Sequence, residues 1–176
     1  MAIVQTFYDH LASQYDKLFL DWQGESREQA VMLDRMLRAH GFDDTARVLD
    51  CACGIGTQAI GLASLGYSVT ASDISDGELA EARKRATDQH VEIRFEHADF
   101  CALSDTFSEA FDVVICMDNA LPHMLTKQSL EAAVKSITSR LAAGGLFVAS
   151  IRDYDALLLE KPPYSLLYSD SCMYGI

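Results

Sequence analysis

The chain has 176 residues, 49% apolar and 9% aromatic, which suits one globular domain with a substantial core and is short for two. Fourteen Lys and Arg against 26 Asp and Glu leave a formal net charge of −12, so no nucleic-acid partner is expected, since such a partner requires a basic face. No apolar run approaches the roughly 20 residues that span a bilayer, and MAIVQTFYDHL has neither a basic leader nor a small-residue cleavage site, so a cytoplasmic protein without a membrane partner is expected.

Phe7, Leu11, Tyr15 and Leu18 recur at steps of three and four, which predicts an amphipathic helix from Ile3 to about Phe19. Trp22 and Gly24 interrupt it. Ser26 is placed to cap a second helix carrying Val31, Leu33, Met36 and Leu37, with Gly41 just past its end. Both helices precede the first strand, so residues 1–45 are expected to form a lid. From Ala46 the pattern alternates. RVLDC reads as a strand, Gln58 to Leu65 as a helix ending at Gly66, YSVTASD as a strand and Gly77 to Thr87 as a helix. VEIRFEH is a third strand, followed by a loop with Asp99 and Phe100, and FDVVICM a strongly apolar fourth. Ser129 to Leu141 is a helix closed by Gly144-Gly145, and LFVASI a fifth strand. Strands alternating with helices predict an α/β fold: a Rossmann-like, doubly wound, mainly parallel sheet covered on both faces, with residues 46–151 as its core. Residues 152–176 read as a short helix, a Pro-Pro break and one more strand, all within a single domain.

The dense basic cluster ARKRA, Ala82 to Ala86, lies on the helix that also carries Glu78 and Glu81 and reads as a solvated face. The five cysteines, Cys51, Cys53, Cys101, Cys116 and Cys172, form neither a disulfide framework nor a zinc spacing. No H-E-x-x-H or other ligand cluster appears, so reduced thiols and no metal are expected.

In an open α/β sheet the ligand sits beyond the carboxyl ends of the strands, which directs attention to VLDCACGIGTQ, Val48 to Gln58. Gly54-x-Gly56-x-x-Ala59 fits a dinucleotide loop, and Asp73, 19 residues after Gly54, stands where a ribose-binding acid belongs. Charge opposes that reading. Asp50, four residues before Gly54 at the mouth of the site, would repel a pyrophosphate by on the order of a few kcal/mol in a partly dry cleft. S-adenosylmethionine carries an ammonium and a sulfonium and no phosphate, so an acid beside it is an asset. The glycines would let the backbone approach its amino-acid end. Otherwise Asp50 and Asp73 are helix-capping or solvated strand-end acids.

LDCACGIGTQ resembles the first motif of class I S-adenosylmethionine-dependent methyltransferases, roughly (D/E)-x-x-x-G-x-G-T. The resemblance implies that Asp50, Ala52, Gly54 and Gly56 meet the cofactor's amino-acid end, that Asp73 in SDIS holds the ribose, and that Ile74 lies beside the adenine. HADF supplies Asp99 and Phe100 for the adenine amino group and ring, and Met117 completes the implied cofactor set. S-adenosylhomocysteine is then the product. The order of these features is more specific than the glycine pair alone.

From Tyr15 through Tyr154 the chain is similar to glycine N-methyltransferases and glycine/sarcosine methyltransferases. YDKLFLDW resembles their N-terminal segment, DNALPHM their N-x-x-x-H stretch after the fourth strand, and GGLFVASIRDYD the end of their fifth strand. The resemblance implies that Asn119 and Arg152 hold a substrate carboxylate, that Tyr15 and His123 lie at the methyl-transfer site, and that Arg27 partners the cofactor carboxylate. A bidentate arginine suits a carboxylate, and a histidine can take a proton. The plainer readings are a surface Arg152 paired with Asp153 or Asp155, an Asn119 that caps a helix, a loop His123 and a core Tyr15. PPY, Pro162 to Tyr164, reads as a loop breaker. The family's pattern continues with two more strands, and without them an unpaired sheet edge would invite a second copy. The expected function is methylation of a small molecule, glycine or another small amino acid or amine. The alternatives are O-methylation of a small hydroxyl compound, a catalytically silent cofactor-binding module and, weakest, a dinucleotide oxidoreductase.

Overall fold

The computed structural model describes residues 2–160, 166–169 and 173–175. Strands β1 (Arg47–Asp50), β2 (Ser68–Asp73), β3 (Arg94–His97), β4 (Phe111–Cys116) and β5 (Leu141–Ala149) form one parallel sheet in the order β3-β2-β1-β4-β5. The order reverses between β1 and β4, so the loops leaving their carboxyl ends diverge and open a crevice.

Both faces of the sheet are covered, which is why its strands read as nearly continuous apolar runs. Val48, Val113 and Ile115 face one cluster with Trp22, Leu33 and Leu37 of α2 (Trp22–Ala39), Ile60 of α3 (Thr57–Ser64) and Leu79 of α4 (Asp76–Asp88). Leu49, Cys51, Val114 and Cys116 face the other, with Leu103, Phe107 and Ile137 of α5 (Lys127–Thr138).

The N-terminal region departs from expectation in two ways. The first helix is not continuous: α1 (Ala2–Leu11) passes into a tighter 3₁₀ stretch, Ala12–Leu18. The second begins at Trp22, because Asp21 caps it by accepting the Gly24 N–H at 3.0 Å. Ser26 is therefore an interior residue of α2, and its hydroxyl donates to the Thr57 carbonyl at 2.6 Å. Trp22 Nε1 donates to Thr57 Oγ1 at 2.9 Å. The helices approach closely here, since a Cβ on Gly61 would lie 2.7 Å from Ala30 Cβ and 2.8 Å from the Ser26 carbonyl. Within the expected lid, α2 is thus docked into the core on α3, while α1 and the 3₁₀ stretch pack on α4 and reach over the crevice.

Gly144 and Gly145 lie inside β5 and do not close α5, which starts at a Thr126 capping box and ends at Thr138. Gly144 takes φ +78° on this strand, whose register with β4 shifts between Phe111 and Val113. The basic cluster on α4 is less solvated than expected: Arg83 donates to the Phe95 carbonyl at 2.8 Å, and Arg85 stacks over Trp22 beside Asp16. After β5 come α6 (Tyr154–Glu160) and a separate antiparallel pair, β6 (Leu166–Ser169) and β7 (Met173–Gly175). Pro162 to Tyr164 and Cys172 lie outside the described residues. Among the described residues β5 is a sheet edge, and no helix is long and apolar enough to cross a membrane.

Candidate functional site

The β1 loop is hooked to β2 by its own backbone. Cys53 N–H donates to the Ser72 carbonyl at 3.0 Å, and Gly54 N–H to Asp73 Oδ2 at 2.9 Å. Gly54 takes φ +52°, which suits glycine, and lines a cavity at the carboxyl ends of β1, β2 and β4. Gly56 has a different task. At φ +90° it starts α3, and a Cβ there would sit 2.8 Å from Ile60 Cδ1, so it shapes the loop from beneath and does not line the cavity.

Of the residues expected to hold a cofactor, Ala52, Gly54, Asp73, Ile74, Phe100 and Met117 line this inner cavity together. Asp99 does not. Its Oδ1 accepts the Cys101 N–H at 2.8 Å and tightens the turn that presents Phe100. Arg27 does not either: it lies on the exposed face of α2 with Glu28, Val31, Met32 and Arg35, because the inward positions of that helix are Ser26, Ala30, Leu33 and Leu37.

Asp50 is fully buried beneath the loop, not at its mouth. Its Oδ1 meets the Ala52 N–H at 3.4 Å, and its Oδ2 has no hydrogen-bond partner among the described residues. Burial pushes its pKa up to about 8. Glu78, at the start of α4, is 3% exposed and turns into the inner cavity. Burial, then Asp73 and Asp9, push its pKa up to about 9, and its Oε1 is also unpartnered among the described residues. Asp73 is raised by burial and held back by the backbone N–H groups of Ser75, Gly54 and Ile74. Three acids (Asp73, Glu78 and Asp118) and, among the described residues, no Lys or Arg line the inner cavity. A pyrophosphate would find no cation there, whereas a ligand bringing an ammonium and hydroxyl donors would find carboxyl acceptors. The residues present therefore fit S-adenosylmethionine.

Tyr8, Tyr15, Asp118 and His123 line both this cavity and a wider outer one of about 590 Å³. The Tyr8 hydroxyl lies 3.0 Å from His123 Nε2. Burial raises the Tyr8 phenol, helped by Glu78 and Asp73, and raises that of Tyr15 further. Asn119 and Arg152 line the outer cavity. The Asn119 amide is engaged, accepting the Arg152 N–H at 3.1 Å and donating to the Tyr154 hydroxyl, so it ties the β4 loop to the end of β5. Arg152 joins no ion pair within the described residues, and Asp153 instead accepts the Ala156 N–H.

Tyr8, Gln58, Glu78 and Asp118 escaped the sequence reading. Tyr8 stands seven residues before Tyr15 and shares its face, a signal the periodicity contained. The other three carry no local signal, since a polar residue on a helix or loop is ordinarily solvated.

The family described as a methyltransferase domain matches residues 48–145, more than half of the chain. The chain belongs to the S-adenosylmethionine-dependent methyltransferases. This methyltransferase is 33% identical over 181 residues to a glycine N-methyltransferase of Homo sapiens, covering 94% of the chain and 60% of that relative. It is 29% identical over 154 residues to a glycine/sarcosine N-methyltransferase of Parasynechococcus marenigrum, covering 88% and 53%. The chain thus spans between half and two thirds of the length of these curated relatives. An S-adenosylmethionine-dependent methyltransferase from Clostridium acetobutylicum shares the fold, with a TM-score of 0.72 at 23% identity over 93% of this chain and 65% of that one.

Proposed function

We propose that the protein transfers a methyl group from S-adenosylmethionine to the nitrogen of a small amino acid or amine, with glycine the favoured acceptor. The observation that carries the reading is the shared wall of Tyr8, Tyr15, Asp118 and His123 between an acidic inner cavity and an outer cavity bearing Arg152. Two reactants held on either side of such a wall meet at it, which is the arrangement a direct transfer needs.

S-adenosylmethionine, when bound, supplies a methyl group on a sulfonium sulfur and leaves as S-adenosylhomocysteine. Ala52 and Gly54 would hold its amino-acid end above the buried Asp50, and Asp73, Ile74, Phe100 and Met117 its nucleoside. Asp73 is suited to ribose because each of its oxygens already accepts one backbone N–H at 2.9 Å and retains a further lone pair. Tyr8 and Tyr15 exclude water with their rings. His123, with Nε2 facing the Tyr8 hydroxyl, stands at the junction to orient the acceptor or take a proton from it. Arg152, in no ion pair among the described residues, would receive the acceptor's carboxylate. The glycine and glycine/sarcosine N-methyltransferases named above support this acceptor class.

Calorimetry with S-adenosylmethionine and with NAD tests the donor, and tight binding of NAD alone would refute it. Methyl transfer to a panel of amines, amino acids and alcohols tests the acceptor. Transfer to alcohols with none to glycine or other amines would replace N-methylation by O-methylation.

A further inference from the structure

A carboxylate stands between the two cavities at a position that glycine would occupy more easily. Asp118 follows β4 with φ +50°, and Asn119 follows it with φ +73°. Asp and Asn are the side chains that best tolerate this left-handed backbone, but only glycine adopts it freely. The surroundings hold Asp118 in place from both sides. Its N–H donates to Ser150 Oγ at 2.9 Å, and the Asn119 N–H donates to the Ser150 carbonyl at 3.2 Å. Gln58, only 2% exposed on α3, donates one amide N–H to Gln29 Oε1 and the other to Asp118 Oδ2, each at 2.7 Å. A buried glutamine whose amide hydrogens are both committed is a fixed donor, so Oδ2 is pinned while Oδ1 accepts no hydrogen bond within the described residues.

The charges around the outer cavity give that free oxygen a task. Arg152 and Asp118 both line the cavity, and neither joins an ion pair among the described residues. Glu25 also lines this cavity and joins no ion pair among the described residues, but Asp118 is the carboxylate that lies on the wall shared with the inner cavity, so Asp118 and Arg152 together are complementary to a ligand that carries the opposite pair of charges to the transfer site. A hydroxyl acceptor would leave the carboxylate without a cation. An amine brings one, and its N–H can donate to Oδ1 after it has lost the proton that methylation requires it to lose.

We propose that Asp118 is the residue that recognises the acceptor's amino group, so that the acceptor site reads a zwitterionic head group with the ammonium at Asp118 and the carboxylate at Arg152. The inference rests on the methyl-transfer reading above and deepens it by naming the residue that reads the acceptor's amino group. Gln58 is the positioning residue, since it aims the carboxylate from the helix that begins at the cofactor loop.

Three probes separate the contributions: glycine with both charges, acetate with the carboxylate alone, and propylamine with the ammonium alone. Each is titrated by calorimetry into the full chain saturated with S-adenosylhomocysteine. Asp118→Asn and Asp118→Gly are expected to weaken glycine and propylamine at least tenfold while leaving acetate within twofold. Asp118→Gly suits the backbone angle, so it keeps the test intact if the asparagine variant folds poorly. Arg152→Gln is expected to do the converse, weakening glycine and acetate and sparing propylamine. If propylamine binds both Asp118 variants as it binds the wild type, the proposal is overturned, and a loss of acetate in Arg152→Gln would still uphold the amino-acid reading. If the Asp118 variants instead weaken S-adenosylhomocysteine tenfold and leave propylamine unchanged, the carboxylate serves the donor and the proposal is again overturned. Failure of the wild type to bind any probe would overturn both.

Discussion

The hydroxyl of Tyr8 and Nε2 of His123 lie 3.0 Å apart, and this contact joins α1 to the loop after β4 across the top of the crevice. Their rings also meet edge to face, with centroids 5.6 Å apart. Burial raises the pKa of the Tyr8 phenol, which keeps its hydroxyl proton at this contact. A second fastening of α1 is Asp9, whose Oδ1 accepts the Ser75 hydroxyl at 2.6 Å and the Gly77 N–H at 3.1 Å at the start of α4. Val4 and Tyr8 of the same helix line the inner cavity.

Tyr8→Phe keeps the ring and removes the hydroxyl, so it isolates the contact with His123. Losing one such bond should weaken S-adenosylhomocysteine by roughly 1 kcal/mol, about fivefold, and speed hydrogen exchange in α1. Exchange rates in α1 that match the wild type would show that the contact does not hold the helix down.

Asp73 has both a structural and a binding assignment, and two substitutions divide them. Asp73→Ala unhooks the Gly54 and Ser75 N–H groups as well as removing the candidate ribose ligand. It should lower both the melting temperature and the affinity for S-adenosylhomocysteine. Asp73→Asn retains one acceptor oxygen, so the melting temperature should move less while affinity falls by about 1.5–3 kcal/mol, the range for hydrogen bonds to a charged group. Unchanged affinity in the asparagine variant would remove Asp73 from the binding set.

Glu78 makes the ligand-free protein sensitive to alkali. Its pKa rises from 4.5 to about 9 on folding, so the folded state binds the proton more tightly than the unfolded chain. The stability this gives is complete below about pH 4.5 and is lost progressively as pH rises toward 9. Asp50, raised from 3.8 to about 8, acts in the same direction. Glu78→Gln should flatten the fall in melting temperature between pH 5 and 9 and stabilise the protein at pH 9 by on the order of a few kcal/mol. Equal slopes for variant and wild type would contradict the assignment.

Asp50 should report the arrival of a ligand cation. At pH 6.5 the buried carboxyl is largely protonated in the ligand-free protein. An ammonium bound on the loop above Asp50 favours its ionised form through the low-dielectric interior, so binding of S-adenosylhomocysteine should release a proton. Calorimetry in two buffers of different ionisation enthalpy measures it, and Asp50→Asn should abolish the difference. Identical heats in both buffers with the wild type would argue that no cation reaches Asp50.

Much of the cofactor side was legible because its signals are local. A glycine in the left-handed region at the end of a buried strand, and an acid at the end of the next, are dictated by the chain within a few residues. The β1 loop and Asp73, singled out by spacing, and Ile74 and Phe100, named through the resemblance, line one cavity. Arg27 did not, because one step around α2 separates an inward position from an exposed one, and the true cap, Asp21, shifts the start of that helix by several residues. Gly144 and Gly145 read as a helix stop, yet the chain uses them inside β5.

Apolar periodicity and glycine placement act over short distances, so the alternation of strands and helices, and with it the parallel sheet and the crevice at its reversal, could be read from the residues alone. The charge of the site came from the folded arrangement. Folding buried Asp50, turned Glu78 inward from a helix that read as solvated, and brought Gln58 and Asp118 together across 60 residues. Electrostatic character depends on burial and on partners distant in the chain, and neither is written in the neighbourhood of the residue that bears the charge.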